Sequence, residues 1–308
     1  MTVRLAFPTP PALAPAYLKG LLDRRPRRLA EGAHVPVIEG RAEAAVADLA
    51  ALERYREVCG LADDGLLPVA YPHVLVGGLH IAMLQSPAFP VRLPGLVHLS
   101  NEIEVIEAVP ATATLAFDCR LDESAVTRRG AEFALRTEAS VEGRPAWRET
   151  MTFLSPAPRR GPRPPREEAS GLPPVVGEWD VPADTGRRYA RVSGDFNPIH
   201  LAAPLAKPFG FRAAIAHGMW SLARCQAWLG GTAGPGARLA VTFLRPLFLP
   251  ARVALHADAG SGEARFWLAP AGGGRPFLSG AWRPAGPCGE PAGSLDGSRD
   301  ASGPAGLS

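Results

Sequence analysis

The chain has 308 residues, 46% hydrophobic and 20% charged, with 33 Lys and Arg against 30 Asp and Glu. That length gives about two domains, each with room for a sizeable core. The net charge of +3 excludes the strongly basic balance of a nucleic-acid-binding surface, while suiting a small ligand that carries phosphates.

Cys59, Cys119, Cys225 and Cys288 are widely separated, with no Cys-x-x-Cys and no Cys/His spacing for zinc, so reduced thiols and no metal are expected. The Pro-broken N-terminus has no signal-like apolar run, and no stretch approaches the ~18 apolar residues of a membrane span. A cytoplasmic protein without a membrane partner is the expectation.

The arginine run Arg24 to Arg28, interrupted by Pro26, reads as a solvated charge cluster. A short apolar segment, Val74 to Leu84, then gives way to strand-like runs at Val97 to Val109, Ala113 to Leu121, Glu132 to Val141 and Ala146 to Leu154. Pro156 to Pro174 packs Pro, Arg and Glu with almost no apolar residues, the composition of an extended linker. Beyond it a Tyr-led segment, Tyr189 to His200, precedes a Pro-free apolar stretch from Ala213 to Leu229 that predicts a buried helix. Strand-like runs follow at Arg238 to Leu244, Ala251 to Ala257, Ala264 to Ala269 and Pro276 to Trp282. Gly230 to Gly236 lacks the ending of a phosphate loop and reads as a helix stop. The tail from Pro284 to Ser308 is rich in Gly, Pro and Ser and reads as disordered.

One helix followed by antiparallel strands, twice over, is an α+β plan. Laying Tyr55 to Leu61 on Tyr189 to Asp195, Tyr, Val and Gly coincide; Leu96 to Pro110 lies over Ala237 to Ala251 after a seven-residue change in the intervening loop. The pattern resembles a duplication. In this alignment Leu61 and Leu66 stand where the second half has Asp195 and His200, so the first half is expected to be non-catalytic, with Gly77-Gly78-Leu79-His80 as packing or, for His80, as tunnel wall.

The chemistry is concentrated in Tyr189 to His200 and Phe209 to Met219. Pro198 forbids a regular helix between Asp195 and His200, so the chain must turn there and can bring carboxylate and imidazole to one water. Adding water across a polarised double bond needs a group that takes a proton, a group that delivers one, and a donor for the developing enolate oxygen. Asp195 and His200 supply the first two. The Gly218 amide, near the start of the predicted helix, supplies the third, and Asn197 can hold the water or a catalytic side chain.

The string S-G-D-F-N-P-I-H at Ser193 to His200, with G-F at Gly210-Phe211 and I-A-H-G-M at Ile215 to Met219, resembles the signature of MaoC-like dehydratases and type 2 (R)-specific enoyl-CoA hydratases. Phe243 to Pro250 is similar to the strand after that family's helix. The resemblance implies a double hot-dog fold. It places an acid/base pair on Asp195 and His200, a polar helper on Asn197 and the thioester-carbonyl donor on Gly218. Ser193, Phe211, His217, Met219 and Arg245 are expected to line the substrate site, with Lys207 and Arg212 as further candidates for phosphates.

No metal or cofactor is implied; the thioester of coenzyme A or acyl carrier protein belongs to the substrate, and a homodimer of double units is one assembly this reading allows. The expected division is a degenerate half at 1–157 that accommodates the acyl chain, a linker at 158–174, a catalytic half at 175–283 and a tail at 284–308. A hot-dog thioesterase and a non-catalytic acyl-thioester binding module are the rival readings.

Overall fold

The computed structural model describes residues 2–13, 23–30, 35–157, 171–259 and 262–286. Most of the Pro/Arg-rich linker, Cys288 and nearly all of the tail lie outside the described residues.

The first half comprises β1 (Thr2–Phe7), β2 (Val37–Val46), α1 (Leu49–Cys59), α2 (Tyr71–Leu84), β3 (Val97–Val105), β4 (Thr114–Thr127), β5 (Gly130–Val141) and β6 (Arg144–Pro156). The second has β7 (Val175–Val181), α3 (Thr185–Ser193), a 3-10 turn at Pro198–His200, the single-turn α4 (Ala203–Ala206), α5 (Gly218–Leu229), β8 (Arg238–Phe243), β9 (Ala251–Ala259), β10 (Ala264–Pro270) and β11 (Leu278–Arg283). The expected strands are present, β4 running six residues further than predicted and β3 ending earlier. Ile106 and Glu107 both turn their amides onto Ala146 O, which stops the β3 ladder. The helix α2 starts before the predicted apolar run, because Pro72 sits in its first turn, where a missing amide hydrogen costs nothing.

All the strands form one 11-stranded sheet, antiparallel except for the β1–β2 pair, in the order β1-β2-β4-β5-β6-β3-β8-β11-β10-β9-β7. The halves meet where β3 pairs with β8, Ser100 opposite Thr242 and Asn101 opposite Val241. Shifting by the 141 residues of the Leu96-to-Ala237 alignment maps Ser100 onto Val241 and Asn101 onto Thr242. Each residue therefore faces the counterpart of its neighbour, and a pseudo-twofold axis passes through this point. Pairing β3 with β8 removes an open strand edge from each half.

The other alignment is as visible in space. Helices α1 and α3 both end on a left-handed glycine, Gly60 at φ 71° and Gly194 at φ 75°, a backbone state that glycine adopts without penalty. These helices pack together, and Tyr55 and Tyr189, equivalent in the duplication, bring their rings to 6.0 Å. Trp220 of α5 donates to Val58 O across the halves at 3.0 Å. One continuous hydrophobic core runs through both halves, with Trp147, Trp282, Tyr55 and Phe89 among its largest fully buried side chains. Leu61 packs at its margin and Leu66 stays half-buried outside it.

Two local readings are corrected. Residues 213–217 are not helical. Ile215 pairs its amide with Ile199 O and Ala216 with Leu247 O, so the segment is held extended and α5 begins only at Gly218. The arginine run is not simply solvated: Arg25 donates to Ser86 O, Phe89 O and Leu84 O at 2.6–3.1 Å and pairs with Asp23, clamping the chain at the end of α2. The glycines of α2 serve packing as expected, since a β-carbon on Gly78 would overlap Pro11 O.

Candidate active site

A cavity of about 670 Å³ lies between the halves. Every predicted site residue lines it: Asp195, Asn197, His200 and Gly218, and with them Ser193, Phe211, His217, Met219 and Arg245. The first half contributes its own wall, chiefly from α2 and the segment leading into β3, and His80 is part of it. Of the three flanking cations only Arg245 reaches the cavity, and it also donates to Arg275 O at 2.9 Å. Arg212 lies over the Phe248 ring, 4.6 Å from its centroid. Arg27, which the sequence reading placed in a solvated charge run, also lines the cavity.

The loop that carries Asp195, Asn197 and His200 is built from its own hydrogen bonds. Gly194 turns the chain out of α3, Asp195 N donates to Ser193 Oγ at 3.2 Å, and Asp195 Oδ1 accepts from Asn197 N at 3.1 Å. Asn197 caps the 3-10 turn by accepting from Ile199 N at 3.4 Å. Its side-chain oxygen thereby helps to shape the loop, in a short-range side-chain-to-backbone bond of the kind Asn favours in turns, while the residue also lines the cavity.

His200 is buried at the end of that turn. Its Nδ1–H donates to Ile215 O at 2.8 Å, which leaves Nε2 as the nitrogen with a free lone pair. Burial lowers the His200 pKa, outweighing the raising effects of the Asp195 charge and of the Ile215 carbonyl, so the ring is held neutral and able to accept a proton. His217 packs on it, the ring centroids 3.7 Å apart, and donates from Nε2 to Asp195 O at 3.0 Å. Burial, reinforced by His200, pushes His217 down to about 3. His217 is thus a neutral tie between the start of α5 and the loop that carries Asp195.

No side chain caps α5. Its first amides, Gly218 among them, lack intrahelical partners and make an anion-favouring end. A β-carbon on Gly218 would meet the Phe243 ring at 2.8 Å, so glycine is what lets the helix start, the ring and the cavity lie so close together. Among the described residues Asp195, His200 and His217 bring donor atoms within 4.8 Å of one another, as do His73, His80 and Glu149. In both groups each histidine already has one nitrogen engaged by the protein.

That second group was not found from the sequence. His73 Nδ1 bonds Glu149 Oε1 at 2.9 Å, and Asn101 Nδ2 donates to the same oxygen at 2.6 Å and to Met219 Sδ at 3.4 Å. These residues come from α2, β3 and β6, far apart in the chain, and no local spacing joins them.

A family model described as "MaoC like domain" matches residues 169–264. The 3-hydroxyacyl-thioester dehydratase X of Mycobacterium tuberculosis is 32% identical over 218 residues, 70% of this chain and 78% of that protein. The crystal structure of HtdX from the same organism superposes with a TM-score of 0.70 at 30% identity, covering 80% of this chain and 99% of that one. A further M. tuberculosis protein, described as having a double hot-dog fold, superposes with a TM-score of 0.51 at 12% identity, over 82% of this chain and 96% of that one.

Proposed function

Because the chain belongs to the MaoC-like dehydratase family, we propose that it adds water reversibly to trans-2-enoyl thioesters of coenzyme A or acyl carrier protein. The products are 3-hydroxyacyl thioesters, of (3R) configuration by the family resemblance. The observation that carries the reading is the orientation of His200: with Nδ1 fixed on Ile215 O, its Nε2 lone pair is the one free to serve the cavity that Asp195 and Gly218 also line.

In the hydration direction Asp195 and His200 hold one water. Its oxygen bonds to C3 while a proton passes to the pair; one proton returns from the pair to C2, so that H and OH are added in sum. The developing enolate oxygen of the thioester takes the hydrogen bond of the Gly218 amide at the α5 start, where negative charge is favoured. Neither a metal nor a redox cofactor enters this sequence of transfers. Ser193 keeps the loop in place by donating to Tyr189 O at 2.8 Å, and the acyl chain runs along the wall supplied by the first half. Arg245 and Arg27 are the cations available to the phosphates of the thiol carrier.

The test is to follow a crotonyl thioester by enoyl absorbance and by free thiol in parallel. Loss of absorbance without thiol release is expected. Thiol release would assign a thioesterase, and binding without either change would leave an acyl-thioester binding module.

A further inference from the structure

We propose that the wall supplied by the first half contains a binding site for a hydroxyl group carried on the acyl chain beyond C3, with His73 as its main partner. The proposal rests on the hydratase reading and deepens it to a substrate class.

A cavity meant for a plain alkyl chain is expected to have apolar walls, yet this wall carries His73, His80 and His98 on one side of the same cavity. Their polar atoms are arranged, not scattered. Glu149, whose side chain is fully buried, and Asn101, equally buried, lie behind His73 and fix its Nδ1 as the donor of a 2.9 Å bond. About 20% of the His73 side chain stays accessible, and Nε2 has neither a protein partner nor the complete burial of the orphaned atoms around it. His80 uses Nε2 on Thr137 Oγ1 at 2.8 Å, while its Nδ1 is buried without a partner; His98 Nε2 is buried without one too. Those two atoms are shut off from the cavity, which leaves His73 Nε2 as a polar atom of this wall open to a ligand, and a polar group placed on a cavity wall is what orients the ligand there.

The tautomer selects the ligand's chemistry. With Nδ1–H given to Glu149, His73 Nε2 accepts a hydrogen bond when the ring is neutral and donates one when it is protonated. Burial acts to lower the His73 pKa, but the charge and hydrogen bond of Glu149, with Asp195 adding to them, raise it on balance, which favours the protonated, donating ring more than in a free imidazole. A hydroxyl both donates and accepts and is served in either state; a carbonyl only accepts and is served in one. His98, pushed down to about 4 by burial, stays neutral and adds no second charge to this wall.

The experiment compares trans-2-enoyl thioesters of one length, either plain or with a hydroxyl placed in turn at each position from C5 to C8. For one position kcat/KM is expected to exceed that of the plain chain about tenfold or more, and the keto analogue at that position to fall between. In His73→Phe, and in His73→Gln as a second variant, the ratio of hydroxylated to plain substrate is expected to drop to near one; because it is a ratio, a partly unfolded preparation does not alter it. The same ratio is read by calorimetric binding of the saturated thioesters to the wild-type enzyme, which needs no turnover and so separates failure of this proposal from failure of the hydratase reading. A wild-type enzyme that prefers no hydroxyl position in binding or turnover, or a preference that survives both His73 variants, overturns the proposal.

Discussion

The imidazoles of His200 and His217 stack at 3.7 Å with 25° between their planes, and each donates one ring N–H to a different carbonyl, His200 to Ile215 and His217 to Asp195. Two cations cannot sit at that spacing in a buried site without large repulsion. The stack therefore excludes double protonation, burial favours the neutral form of each ring, and the Ile215 bond fixes which nitrogen of His200 is left for the cavity.

In the proposed reaction Asp195 and His200 act on one water, so removing either dismantles the same proton-transfer unit. Asp195→Asn and His200→Gln are each expected to lower the hydration rate by about 100-fold or more, with the double variant little worse than the poorer single. Single-turnover hydration of a crotonyl thioester by variants with native circular dichroism decides it. Near wild-type turnover in either single variant rejects the assignment.

Gly218 permits close approach, and its role can be separated from that of its amide. In Gly218→Ala the amide remains, but the new β-carbon meets Phe243 at 2.8 Å. Turnover is expected to fall about tenfold or more, because the displaced amide loses part of the ~10²- to 10³-fold that one such donor supplies, and Gly218→Ala/Phe243→Leu to recover part of it. A double variant as slow as the single would mean that the β-carbon obstructs the substrate itself and not the ring.

The strands and both core helices were legible because hydrophobic runs between Pro and Gly report local structure directly. The duplication was legible at Tyr55/Tyr189 and Gly60/Gly194, where a buried ring and a left-handed turn each demand one residue type. The start of α5 was not, because 213–217 is as apolar as a helix and only its pairing with Ile199 and Leu247 holds it extended. Nor was the His73–Glu149–Asn101 group, which depends on the register of β3 with β6 and on the rotation of α2, neither of which is written in local spacing. The loop from Ser193 to His200 was legible because a turn that builds itself from Ser193, Asp195 and Asn197 must carry those residues in close succession.

Gly186 in α3 tests how tightly His200 is positioned from behind. A β-carbon there would lie 1.9 Å from His200 O, a backbone atom that cannot step aside without moving the 3-10 turn. Gly186→Ala is expected to lower kcat while leaving KM within a few fold, since the turn and not the acyl wall is displaced. A KM-only effect would show that the turn tolerates the shift.

Stability should fall on mild acidification, and the direction follows from the buried histidines. Burial pushes His80 to about 3, His98 to about 4 and His217 to about 3, against about 6.5 in an unfolded chain. Below pH 6.5 the unfolded chain takes up protons at these sites while the folded chain does not, so the stability present above 6.5 is lost as pH falls. At pH 5 each ring contributes about 2 kcal/mol of loss, together about 6 kcal/mol, comparable with the whole stability of many domains. His73 works the other way: its pKa is raised in the fold, so it favours the folded state on the acid side and offsets part of the loss. Glu149, held below its ordinary range against burial by His73 and Asn101, stays ionised in both states through this window and adds no slope. Thermal midpoints recorded from pH 8 to pH 5 are expected to be level down to about 6.5 and then to drop steeply. His98→Phe should make the drop shallower by about one proton, some 1.4 kcal/mol per pH unit. Midpoints that stay level to pH 5 would show that these rings admit protons in the folded state, and with that the neutral His200–His217 stack would have to be abandoned.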